Sequence, residues 1–69
     1  MEFNYSKLRG RIVEKYGTCV NFATAMGWSK TQLSSRLNNV VPFSGPEIKE
    51  AAKLLEIPGA EIDAYFFAV

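Results

Sequence analysis

Lys30, Thr31, Gln32, Ser34 and Ser35 are short or medium hydrogen-bonding residues, and they share a segment whose apolar residues Leu33 and Leu37 are one helical turn apart. On the outer side of a helix, such groups suit the donors and acceptors along base edges in the major groove. A Gln carboxamide can pair with adenine through two hydrogen bonds, a Lys ammonium can donate to guanine, and a Thr methyl can touch thymine. Gln32, Lys30 and Thr31 are therefore candidate base readers, with Ser34 and Ser35 beside them. Bond-making chemistry has far less to work with. Histidine is absent and Cys19 is the single thiol. No carboxylate pair is isolated in an apolar stretch, and no glycine-rich phosphate loop or metal-ligand cluster is present. Neither an enzyme nor a bound metal or cofactor is expected.

The elements that must position these groups follow from spacing. Tyr5, Leu8, Ile12 and Tyr16 recur at three and four residues, which predicts a first helix from Tyr5 to Tyr16, stopped by Gly17. Thr18 can cap a second helix that places Cys19, Phe22, Ala23 and Met26 on one face and ends at Gly27. Trp28 follows, and Ser29 can cap the third helix through Leu37. Asn38 to Pro42 reads as a loop. Ser44 and Glu47 have the spacing of a capping box ahead of Ile48, Ala51, Ala52 and Leu55, a fourth helix. Pro58 and Gly59 end it, and a short fifth helix begins near Ala60 with Ile62, Tyr65 and Phe66 as its apolar residues. The expected fold is an all-α bundle of about five short helices.

Thr18 to Leu37 meets the demands of a helix-turn-helix together. Ala23 is small where the third helix must come close, and Gly27 can leave the second helix left-handed without a Cβ penalty. Phe22, Met26, Trp28, Leu33 and Leu37 fill the angle, so Trp28 and Cys19 read as core residues. The exposed amides at the starts of the second and third helices suit phosphates, which brings in Ser29. Arg36 lies on the flank between the two leucines, where it can reach a phosphate or lie over the core.

The 69 residues form one domain, 48% hydrophobic and 22% charged. The net charge is +1, but residues 1–36 hold six cations against two acids and residues 37–69 two against five. The first part is the expected anion-facing half. No signal peptide or membrane span is read, so a cytoplasmic location is expected. Tyr65, Phe66, Phe67 and Val69 crowd the end of the chain. So many apolar groups on so small a domain predict a homodimer contact there.

The combination of NYSKLRGRIVEKYG, FATAMGWSKTQLSSRLNN, PFSGPEI and EIDAYFF resembles the lambda-repressor-like helix-turn-helix domains. It is most similar to the short Cro-like regulators of temperate phages and prophages of Gram-positive bacteria. The resemblance spans nearly the whole chain. It implies base contacts at Lys30, Thr31, Gln32, Ser34 and Ser35, and backbone contacts at Thr18, Asn21, Asn38 and Asn39. Val40 and Val41 depart from it, standing where such regulators often carry a basic residue. The expected function is an operator-binding regulator, a dimer on two half-sites about one DNA turn apart. The alternative is an antirepressor or repression modulator that keeps this shape and binds another regulator, such as the phage repressor.

Overall fold

A computed structural model describes residues 2–69. Its helices are α1 (Ser6–Tyr16), α2 (Cys19–Met26), α3 (Lys30–Leu37), α4 (Gly45–Leu54) and α5 (Ile62–Phe66), with a 3-10 turn over Gly59–Glu61 leading into α5. No strand occurs among the described residues, and no helix is long and apolar enough to cross a membrane.

Local chemistry sets most boundaries. Gly17 (φ 81°) ends α1, its N–H donating to the Val13 carbonyl at 2.9 Å. The Thr18 hydroxyl accepts the Asn21 N–H at the start of α2. Ser29 with Gln32, and Ser44 with Glu47, close reciprocal capping boxes at α3 and α4. Gly27 leaves α2 in the left-handed region (φ 76°, ψ 24°), and the Trp28 N–H reaches back to the Ala23 carbonyl at 2.8 Å. At α1 the expected start is off by one residue: Tyr5 is buried ahead of the helix, and the Asn4 side chain accepts the Ser6 N–H.

The core collects one stripe from each helix. Leu8 and Ile12 of α1, Phe22 and Ala23 of α2, Leu33 and Leu37 of α3, Ala51 and Ala52 of α4, and Phe66 of α5 are all buried, with Tyr5, Leu55 and Ile57 from the connections. Burying each large apolar side chain contributes about 1.5–3 kcal/mol, so the helices hold together through this shared interior. Phe43 joins the pieces, its ring edge-on to Tyr5 at 5.5 Å and to Phe66 at 5.3 Å.

The end of the chain departs from expectation at one residue. Phe66 is 1% exposed and belongs to the core, so it cannot be a dimer contact. The 3-10 turn sets the phase at which α5 begins, and that phase turns Phe66 inward. Tyr65 is partly buried beneath the Lys7 ammonium, which sits 4.7 Å from its ring centroid. Phe67 and Val69 remain 46% and 76% exposed. The tail folds back on the first residues: Ala68 O accepts the Asn4 N–H at 2.7 Å, and Phe67 packs edge-on against Phe3.

Candidate recognition surface

The residues singled out between Thr18 and Asn39 lie on α2, α3 and the segments that bound them. The turn Gly27–Ser29 separates two helices of eight residues each, so Ala23 to Leu37 is not one continuous rod. Because α3 buries only Leu33 and Leu37, its other side faces out. Lys30, Thr31, Gln32 and Ser34 are exposed and Ser35 is half-buried. The structure thus brings the five candidate readers onto one helix with most of their surface in solvent.

Several of these groups are already bonded within the chain. Gln32 Oε1 accepts the Ser29 N–H at 2.7 Å, and the Ser29 hydroxyl accepts the Gln32 N–H. The Gln32 carbonyl side is therefore committed to the helix cap, and pairing with adenine would require breaking it. Thr18 caps α2, and Asn21 Nδ2 donates to the Tyr16 carbonyl at 2.9 Å. Asn38 accepts from Arg9 Nη2 and donates to Ser34 Oγ. Asn39, left-handed at φ 61°, clamps Phe3 at two points, accepting its N–H and donating to its carbonyl at 2.9 Å each.

Arg36 occupies the core-flank position rather than the phosphate-facing one. Its Nε and Nη2 donate to the two carboxylate oxygens of Glu47 at 3.1 and 2.9 Å, and Nη1 donates to the Gln32 carbonyl. The guanidinium also lies 4.4 Å from the Trp28 ring centroid. The paired Arg36 guanidinium, then the Ser44 N–H, hold the Glu47 carboxyl below its ordinary range, while the Glu47 contact raises Arg36 in turn. Sequence reasoning placed Glu47 only in the α4 cap. Its second role bridges 11 residues, and a local pattern carries no signal for it.

The basic first half is largely neutralised in space. Arg11 pairs with Glu14, Lys15 with Glu56, and Arg36 with Glu47. Contact with Lys15 lowers the Glu56 carboxyl. Arg9 and Arg11 also close helix ends, donating to the carbonyls of Leu37 and of Leu55 and Glu56. Among the described residues, Lys30 is the one cation on α3 without a bonded partner, and no acidic residue lies between Glu14 and Glu47. The α2–α3 surface is thus hydrogen-bonding, short in side chain and almost uncharged. No group of three or more His, Cys, Asp or Glu residues is placed to hold a metal among the described residues.

The chain is similar to the modulator of repression (MOR) of the temperate bacteriophage TP901-1 from Lactococcus lactis, whose solution structure superposes with a TM-score of 0.86. The two are 45% identical, and the match covers 97% of this chain and 90% of that one. No curated protein matches the chain. The family described as "protein of unknown function (DUF739)" matches residues 1–69, and the chain belongs to that family.

Proposed function

We propose that this chain is a repression modulator of a temperate phage or prophage, working in the host cytoplasm by binding the phage's repressor and without any enzymatic step. The observation that carries the reading is 45% identity over 97% of the chain to a protein described as a modulator of repression. The chemistry of the α2–α3 surface supports it. A duplex binder gains most of its affinity by neutralising several phosphates. Here Arg11, Lys15 and Arg36 are paired with carboxylates, and Val40 and Val41 follow α3 where a basic residue would be useful. A surface of Thr, Ser, Gln and Asn with one Lys suits the polar part of a protein interface, where hydrogen bonds and shape set specificity. Lys30, Thr31, Ser34 and Ser35 are its central residues.

A gel-shift titration on the DNA flanking the chain's own gene tests this, run with the chain alone, the phage repressor alone, and both. The chain alone should give no discrete complex, and adding it should alter or abolish the repressor–DNA band. A discrete band from the chain alone, weakening with salt at about −0.9 in logarithmic slope per phosphate contacted, would refute the proposal. It would instead support operator reading by Lys30, Thr31, Gln32, Ser34 and Ser35.

A further inference from the structure

We infer that Arg36 and Glu47 are positioning residues that fix the pose of the outward face of α3, and that their fork sets affinity for the protein partner without touching it. This rests on the reading of α3 as part of the partner-facing surface. Three observations carry it.

The first is continuity. Gln32 Oε1 caps Ser29, the Gln32 carbonyl accepts from Arg36 Nη1, the Arg36 fork grips Glu47, and Glu47 Oε1 accepts the Ser44 N–H at 3.0 Å. A single chain of hydrogen bonds therefore runs from the first residue of the α3 cap to that of the α4 cap. The second is burial: the Arg36 side chain is only 14% exposed and Glu47 25%, unlike the open pairs Arg11–Glu14 and Lys15–Glu56. A fork–fork pair in that setting fixes angle as well as distance. The third is what surrounds it. Trp28 lies between the Arg36 guanidinium and Phe43, whose ring is 6.3 Å away and itself packs on Tyr5 and Phe66. The turn that launches α3 is thereby referred to the core on one face and to α4 on the other.

A pair that served only bulk stability would have no preference for α3. A pair that positions α3 affects that helix first. Arg36→Met keeps the aliphatic stem over Trp28 and leaves Glu47 with its Ser44 hydrogen bond. Arg36→Lys keeps the charge but loses the fork. In both variants, amide hydrogen exchange followed by NMR should speed up selectively in α3, while protection around Leu8 and Ile12 of α1 stays near that of the parent. Affinity for the phage repressor, measured by titration calorimetry per folded molecule, should fall roughly tenfold in Arg36→Met, a typical coupling between contacting residues. Arg36→Lys should lie between. Exchange that rises uniformly across all helices, or unchanged affinity despite a loosened α3, overturns the inference. If the parent chain binds no repressor, the functional proposal fails, and the exchange pattern alone then decides whether the fork positions α3.

Discussion

Gly27 and Gly10 should respond in opposite directions to the same substitution. Gly27 has φ 76°, and a Cβ built there meets nothing within 4 Å, so Gly27→Ala adds backbone strain and no clash. The left-handed conformation costs a non-glycine L-residue about 1–2 kcal/mol. Gly10 lies inside α1 with ordinary helical geometry and equally open space, so Gly10→Ala should stabilise by about 0.5–1 kcal/mol. One kcal/mol moves the midpoint of a domain this size by about 4–8 °C. Thermal melts followed by circular dichroism should therefore fall by roughly 4–16 °C for Gly27→Ala and rise by roughly 2–8 °C for Gly10→Ala. Gly27→Asn should recover part of the loss, because Asn tolerates the left-handed region better than Ala. If Gly27→Ala melts at or above the parent, the left-handed exit is not what separates α2 from α3.

Two further outcomes follow from the same structure. Arg36 and Ser44 lower the Glu47 carboxyl, so its stabilising share is present above the ordinary carboxylate value of 4.5 and is lost as pH falls through the lower folded value. Glu47→Gln does not titrate there, so its midpoint should decline less steeply than the parent's as pH is lowered from about 5 to 3. Phe66→Ala should cost about 3–5 kcal/mol as a core truncation, whereas Phe67→Ala at the surface should stay well below half that. Chemical denaturation of the two variants side by side checks the ordering, and equal losses would return Phe66 to the surface patch.

The parts of this fold that were legible in advance are those decided within four residues. Gly27, the Ser29 and Ser44 caps, and the leucines at 33 and 37 act through the backbone next to them, and each lies where its local chemistry requires. Phe66 was misread because its direction depends on how the chain turns through Gly59–Glu61, where helical spacing does not apply. Asn39 reads locally as a turn residue, and its left-handed φ agrees; its clamp on Phe3 spans 36 residues and is invisible in sequence. Charge was the least legible feature. Counting residues 1–36 against 37–69 gives a basic and an acidic half, but Lys15 meets Glu56 and Arg36 meets Glu47 across that division.

That pairing also separates the two functional readings on physical grounds. Side chains typical of a base reader are present on α3, so residue types alone favour DNA. Affinity for a duplex is another matter, because it scales with the number of phosphates neutralised, and each phosphate contact contributes about −0.9 to the logarithmic salt slope. A duplex laid on α3 would meet Lys30 as its one unpaired cation there, and would gain Arg36 only by breaking a fork with Glu47 and uncovering Trp28. Removing Arg36 from that pair leaves a partly buried carboxylate, a cost that a single phosphate contact does not offset. A protein partner imposes no such exchange: it can use Thr31, Ser34, Ser35 and Lys30 as they stand, on a helix already held in place. The same fork that keeps Arg36 from a phosphate thus gives α3 the fixed pose that a specific protein contact needs.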